Sequence, residues 1–198
     1  MRIRTWRFLI GAVATLAAAL ALLVTLSSAA SGGAQHVRWD IVSLTGGAPP
    51  GPVNAGGHAS ATAPDGDTIT LMGSGTFVAP ASGGGSGAVT GGGTWKTSGG
   101  GSGTYTVTSL VSWESAGPQA CCPIIDKIDE GTPTNGNAVL TIAFSDGAQG
   151  VLTIGCHGPG APPGIFEGIA TTKGYKTYYT VQPPTSGVDA NRTIFHVR

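Results

Sequence analysis

The stretch from Thr104 to Glu114 has the sequence TYTVTSLVSWE and alternates between two kinds of side chain. One face carries Tyr105, Val107, Ser109, Val111 and Trp113. Threonine and serine dominate the other face, on which Leu110 also falls. Because successive side chains of a strand point to opposite sides of a sheet, this period of two predicts a β-strand with one buried face.

The same period recurs along the chain, and turns that contain glycine separate the runs. Asp65-Gly66, Asp146-Gly147 and Lys173-Gly174 lie between alternating segments, and glycine suits hairpin turns because it adopts positive φ. Short hairpin links favour an all-β fold, and we expect an antiparallel β-sandwich or β-barrel of roughly nine strands with long Gly-rich loops. The expected strand segments are 37–44, 58–63, 68–78, 93–98, 104–114, 138–144, 150–156, 168–172, 176–181 and 193–197. The one helical hint is a short segment, 123–130.

The first thirty residues predict export from the cytoplasm. Arg2, Arg4 and Arg7 precede the apolar run Phe8–Leu26, which ends in small residues. Basic residues, an apolar core and small residues at a cleavage site are typical of a signal peptide. The segment therefore predicts a hydrophobic export helix and a secreted or extracytoplasmic protein.

Two domain assignments follow. Residues 1–30 are expected to be the signal peptide, and residues 31–198 a single exported β domain. The apolar run is about 19 residues long, which is close to the length that spans a bilayer. An uncleaved anchor, with membrane contact through residues 8–26 only, is the alternative.

Composition excludes one class of partner. The chain has 10 basic and 10 acidic residues, and only 10% of its residues are charged. Nucleic-acid binding requires clustered basic side chains, so we do not expect it. Glycine and proline make up roughly 27% of residues 31–198, a level at which disorder must be considered. The regular alternation instead favours a folded domain.

Three segments repeat one pattern, in which glycines come just before a threonine and an aromatic residue. They are Gly73–Phe77, Gly91–Trp95 and Gly101–Tyr105. The aromatic residues could surround a ligand cavity. The interpretation that we favour is that the glycines let the chain turn or bulge where a strand begins, while the aromatic side chains anchor the core.

The exported part contains three cysteines, Cys121, Cys122 and Cys156. Disulfides persist outside the cytoplasm, so a disulfide from Cys156 to Cys121 or Cys122 is the first hypothesis. A metal site formed by these cysteines with His157 is a weaker one, because metal knuckles separate paired cysteines by two or more residues. A reactive free thiol beside His157 is the third.

No metal and no cofactor are expected. Asp65 and Asp67 flank a turn glycine but do not match an EF-hand loop. The chain also has no Gly-x-Ser-x-Gly elbow and no His-Glu-x-x-His motif.

Four residues remain as candidates for a functional site. His157 and Glu167 could act as an acid–base pair. Alternation places Tyr178 on the opposite face from Tyr175 and Tyr179, which makes it the candidate for an exposed stacking surface. Trp95, from the repeated glycine pattern, is the second candidate ligand-binding residue.

Several segments together resemble a group of small secreted proteins from high-GC bacteria. They are Gly73–Phe77, Gly91–Trp95, Gly101–Tyr105, Ser145–Gly147 with Cys156–His157, Glu167–Ile169 with Thr172–Gly174, and Asp189–His196. The resemblance covers most of the exported chain. It implies secretion and a β fold, and it brings no activity, so no catalytic residue is carried over from it.

The leading functional hypothesis is an extracytoplasmic binding or interaction module for a small molecule, a glycan or a protein. One alternative is a small secreted hydrolase or isomerase that uses His157 with Glu167 or a cysteine. In that case His157 and Glu167 should lie within hydrogen-bond reach in one pocket. The other alternative is a structural or adhesive component of the cell envelope.

Overall fold

Twelve strands make up the regular structure of the described residues, which confirms the predicted all-β fold class. The computed structural model describes residues 33–44, 51–80, 84–120, 125–185 and 191–198, and these ranges contain no helix. The strands are β1 Gln35–Leu44, β2 Val53–Ala55, β3 Ala59–Thr62, β4 Thr68–Ala79, β5 Val89–Thr97, β6 Ser102–Pro118, β7 Thr132–Phe144, β8 Gln149–Cys156, β9 Gly168–Lys173, β10 Lys176–Tyr178, β11 Thr180–Val181 and β12 Arg192–Val197.

Residues 34–198 cluster into one unit. The predicted signal peptide or anchor, residues 1–30, lies outside the described ranges and stays a prediction. Within those ranges, no helix is long and apolar enough to cross a membrane.

Six strands pair into a closed circuit. β1 pairs with β4 along one edge and with β12 along the other. From β4 the pairing continues through β5 and β6 to β7, and β7 returns to β12. All of these pairings are antiparallel, so a ring of six strands surrounds the core, as in a small barrel.

β4 and β7 are long strands, and one edge of each pairs with two different strands. β4 pairs with β3 through its first residues and with β1 through its last. β7 pairs with β12 at Thr132–Thr134 and with β8 from Gly136 onward. At this point in β7, β12 separates from the sheet and β8 takes its place. The end of β8 therefore lies beside the start of β12, where the hydroxyl of Thr193 donates a hydrogen bond to the Gly155 carbonyl at 2.6 Å.

The core lies inside the ring, and β6 shows how irregular pairing decides which side chains enter it. Tyr105, Val107, Leu110 and Trp113 are buried, whereas Val111 is 47% exposed. The prediction that Val111 faces the core and Leu110 faces away is wrong. Register shifts between Val107 and Ser109 and between Leu110 and Ser112 are the reason. Each bulge reverses the alternation, so the second one restores Trp113 to the buried face.

The glycines of β4 make room for aromatic rings and for the backbone of β5. A Cβ atom at Gly73 would lie 2.2 Å from the Tyr105 hydroxyl, and one at Gly75 would lie 2.9 Å from Trp39 Nε1. Phe77, Trp95 and Tyr105, the three aromatic residues of the repeated pattern, are all buried in the main cluster. Their burial agrees with the interpretation that they anchor the core.

A second, smaller apolar cluster lies on the outer face of β1 and β12. It contains Val42, Val53 and Ile194, with Leu44 and Ile128 packed against it. The described part of the predicted helix, residues 125–130, crosses this face as an irregular segment. Its backbone pairs with Val53, and Asp129 has a φ of 47°. The helical hint is therefore wrong for residues 125–130, because sheet-like pairing and a left-handed residue interrupt any helix.

Substitution of Gly73 tests the close approach of Tyr105. Gly73→Ala should lower the free energy of unfolding by about 1–3 kcal/mol, as overpacking of a core does. The loss should be smaller in a Tyr105→Phe background, because the hydroxyl that meets the new methyl group is then absent. Urea unfolding measures both effects. Gly87→Ala is the matched control, since no atom lies within 4 Å of a Cβ there, and an equal loss in that variant would contradict the explanation.

Candidate functional site

A cavity of about 390 Å³ lies where β12 separates from β7 and β8 takes its place. Its apolar wall comes from the outer face of β1 and β12 and from β2, through Val42, Leu44, Val53 and Ile194. Its polar wall comes from the residue after β6, the end of β8, the residue before β9 and the start of β12. The polar and reactive side chains there are Gln119, Cys156, His157, Glu167, Arg192 and Thr193.

Glu167 is held in place by two backbone groups. Its Oε1 accepts a hydrogen bond from the Thr193 N–H at 2.7 Å, and its Oε2 accepts one from the His157 N–H at 2.6 Å. Burial raises the pKa of Glu167 to about 7, although these hydrogen bonds and the charge of Arg192 act in the opposite direction. The carboxyl group therefore changes its charge near neutral pH.

His157 is exposed, and its ring does not bond to Glu167. The ring Nδ1 lies 2.8 Å from the Ile165 carbonyl, so it donates a hydrogen bond there. His157 and Glu167 do lie in one cavity, as an acid–base pair would require, but their direct link is through the backbone N–H. The sequence could not anticipate this, because alternation gives only the side of the strand and not the rotamer.

Cys156 carries a free thiol in the structure and is buried. Gln119 Nε2 lies 3.4 Å from its Sγ. Burial raises the pKa of the Cys156 thiol, and the nearby Glu167 raises it further. The described residues therefore contain no disulfide. The proposed partners, Cys121 and Cys122, lie outside them.

Asn135 fixes the loop that follows Cys156. This side chain is fully buried. It accepts a hydrogen bond from the Gly158 N–H at 2.8 Å and donates one to the Pro159 carbonyl at 3.2 Å. Because a buried amide fixes the backbone at both atoms, His157 and Pro159 keep a defined position at the mouth of the cavity.

Arg192 is the site residue that sequence reasoning missed. It begins β12 directly opposite Val42 and points to the same outer face. Its Nε is buried without a hydrogen-bond partner in the described part of the chain. A single arginine next to Asn191 in a polar segment gives no local signal, because only the pairing with β1 brings it against an apolar wall.

The two aromatic candidates, Tyr178 and Trp95, are both buried. Tyr178 is only 2% exposed, and its hydroxyl donates to Asp67 at 3.0 Å. The prediction of an exposed Tyr178 is wrong. Tyr175 and Tyr179 do share the opposite side, but they are the exposed ones, at 100% and 65%. The alternation was assigned correctly, and the core lies on the side that was predicted to face solvent.

Trp95 is also buried, at 5% exposure. Its Nε1 donates to the Thr104 carbonyl at 3.1 Å, and its ring packs edge-on against Phe144. The ammonium of Lys173 lies 4.3 Å from the ring centroid. One edge of Trp95 borders a second cavity, together with Met72 and Lys96. The buried position makes packing the main role of Trp95.

Asp67 lies directly before β4 and joins three hairpins, which are β3–β4, β5–β6 and β9–β10. Its carboxylate accepts hydrogen bonds from the Ser98 hydroxyl at 2.6 Å, from Lys176 Nζ at 3.0 Å and from the Tyr178 hydroxyl at 3.0 Å. The Ser98 bond and then the Lys176 bond hold the pKa of Asp67 well below its usual range. The turn that contains Asp67, for which we predicted no metal-binding role, therefore links these hairpins.

The comparisons with known proteins assign no role to this site. No protein-family model, no curated protein and no solved structure matches the chain. Within the described ranges, no three His, Cys, Asp or Glu side chains are grouped as a metal ion would require. The chemistry of the cavity therefore has to be derived from its own residues.

Asp67→Asn should lower the melting temperature at neutral pH. A carboxylate whose pKa is lowered by folding contributes stability above its unfolded value, about 3.9, and loses it as the pH falls through the lower folded value. The difference in Tm between the two proteins should therefore be full at pH 6–7 and shrink below about pH 4.

Asp129→Asn is the matched control for this measurement, because Asp129 is exposed and makes no hydrogen bond or ion pair with another described residue. Thermal unfolding followed by circular dichroism gives the Tm values. A difference that stays constant down to pH 2 would contradict the assigned role of Asp67.

Cys156 should resist alkylation in the folded protein, because burial keeps its thiol protonated and covered. Iodoacetamide at pH 8 should modify it only after denaturation. Trypsin cleavage after Lys127 places Cys156 in a different peptide from Cys121 and Cys122, so peptide masses report each group separately. Rapid modification in the native protein would contradict this expectation. A disulfide-linked pair of peptides would instead establish the bond that the sequence predicts.

Proposed function

We propose that this protein is an extracytoplasmic binding module and that a small molecule occupies the cavity at the start of β12. The observation that carries the proposal is the cavity itself: an apolar wall faces a half-buried arginine that has no partner among the described residues. Sites for small molecules are typically concave and mostly apolar, with a few polar groups that orient the ligand. The cavity volume of about 390 Å³ falls in the range of such sites.

Export supports the first half of the proposal. The basic and apolar character of residues 1–30 is typical of a signal peptide, and the resemblance to secreted proteins from high-GC bacteria has the same implication. A closed ring of strands is a rigid frame for a binding site, because its backbone groups are paired around the circuit.

A second candidate is a secreted hydrolase or isomerase, and one observation favours it. Cys156, His157 and Glu167 all line the cavity. Nucleophilic catalysis needs a stabilised thiolate, whereas burial raises the pKa of Cys156. The His157 ring bonds to a backbone carbonyl and not to Glu167. Binding is therefore the better supported function.

The enzyme candidate has a separate test. p-Nitrophenyl octanoate is a suitable substrate because its ester carries an apolar tail. Hydrolysis by the wild type that is lost in both His157→Gln and Glu167→Gln would favour the enzyme. Equal rates in all three proteins would argue against it.

Filling the cavity tests the binding proposal. The neutral fluorescent probe N-phenyl-1-naphthylamine should bind the wild-type protein saturably, with increased emission. Leu44→Trp should abolish this binding, because the larger side chain occupies the apolar wall. Val111→Trp is the matched control, since Val111 is an exposed strand residue outside the cavity. Absence of saturable binding to the wild type, or equal binding in all three proteins, would overturn the proposal and favour an envelope component without a small ligand.

A further inference from the structure

The guanidinium of Arg192 lines the cavity without a side-chain partner among the described residues. Arg38, on the same outer face, makes two hydrogen bonds to Asp40 and a third to Glu130. Arg192 makes no side-chain hydrogen bond or ion pair with any residue of the described ranges, and its Nε is buried. A half-buried cation without a partner is costly. A ligand with a complementary group would remove that cost.

Glu167, the acidic residue of the cavity wall, does not supply the missing partner. Both carboxylate oxygens of Glu167 are engaged by the backbone N–H groups of His157 and Thr193. Glu167 influences Arg192 through space, but no ion pair joins the two side chains. The donors of Arg192 are therefore available to a group inside the cavity.

The rest of the wall restricts the ligand further. Val42 and Ile194 flank Arg192 on the outer face of β1 and β12, and Leu44 and Val53 extend the apolar surface. A guanidinium binds planar carboxylates with two parallel hydrogen bonds. A molecule with one anionic end and an apolar body satisfies both parts of the cavity.

We propose that the cavity binds an amphipathic monocarboxylate, with its carboxylate on Arg192 and its apolar body against Val42, Leu44, Val53 and Ile194. This inference rests on the proposed binding function and names the ligand class for the same cavity. A neutral ligand of the same length would leave the charge of Arg192 unpaired. The site should therefore prefer the acid over the corresponding alcohol.

Glu167 should couple this binding to pH. The titratable and charged groups around it are Cys156 and His157 at the end of β8 and Arg192 at the start of β12. When Glu167 is protonated, the positive charge of Arg192 is no longer opposed, so a carboxylate should bind more tightly. Because the pKa of Glu167 lies near 7, affinity should rise as the pH falls from 8 to 6, where a simple carboxylic acid is still ionised.

Octanoate and 1-octanol are the probes that test the ligand class, by calorimetry or by displacement of the neutral naphthylamine. The wild type should bind octanoate at least about tenfold more tightly than octanol, as loss of a charge-assisted hydrogen bond implies. Arg192→Gln should weaken octanoate to the level of octanol and leave octanol unchanged. Retained octanol binding also shows that the variant is folded.

The outcomes separate the two proposals. If N-phenyl-1-naphthylamine, octanoate and octanol all fail to bind, the binding function itself fails; if the naphthylamine binds and neither octyl compound does, only the ligand class is overturned. If octanol binds as tightly as octanoate, or if Arg192→Gln leaves octanoate affinity unchanged, the cavity is a binding site but the carboxylate assignment is overturned.

Octanoate affinities measured at pH 6 and pH 8 test the role of Glu167. Glu167→Gln should bind octanoate tightly at pH 6 and at pH 8, because its side chain is neutral throughout. His36→Gln, at an exposed histidine outside the cavity, is the control and should keep the pH dependence of the wild type. A pH dependence that persists in Glu167→Gln and disappears in His157→Gln would assign the coupling to His157 and overturn this part of the inference.

Discussion

The edge of β7 is the constraint on which the rest of the structure depends. A strand edge can hydrogen bond to one neighbour at each position. The edge of β7 serves β12 at Thr132–Thr134 and β8 from Gly136 onward. Pairing with β12 closes the ring, and pairing with β8 adds β9 and β10 to the sheet. The two pairings change over between Thr134 and Gly136 of β7. The end of β8 and the start of β12 therefore lie next to each other.

The candidate site is a consequence of that junction. Where β12 leaves β7, its outward side chains lose their neighbour on that side and keep only the pairing with β1 on the other. Arg192 lies at this position, opposite Val42. Glu167 is held there because the backbone N–H groups of His157 and Thr193, which lack sheet partners at the junction, donate to its carboxylate. The same geometry thus creates the cavity and supplies its charged groups.

Much of the fold could be predicted from the sequence, and the exceptions have local causes. Alternation located β4, β7 and β8, because each of these strands has one apolar face, and the repeated glycine pattern indicated that Phe77, Trp95 and Tyr105 anchor the core. It misplaced Val111, because bulges in β6 reverse the alternation twice. It also reversed the faces of Tyr178 and Tyr179, since a three-residue strand with polar neighbours does not reveal which face meets the core. His157 and Glu167, the candidates for an acid–base pair, both line the cavity, as does Arg192, which the sequence did not single out.

The sequence by itself determined the all-β class, the hairpin turns and most of the buried aromatic side chains, because these features follow from a period of two and from glycine at the turns. Closure of the ring, the free buried thiol of Cys156 and the exposure of Arg192 to an apolar cavity were decided only by the tertiary structure. The physical reason is that each depends on pairing between strands far apart in the chain. Residues 156, 167 and 192 carry no shared local pattern, and they meet only because β8 and β12 compete for one edge of β7.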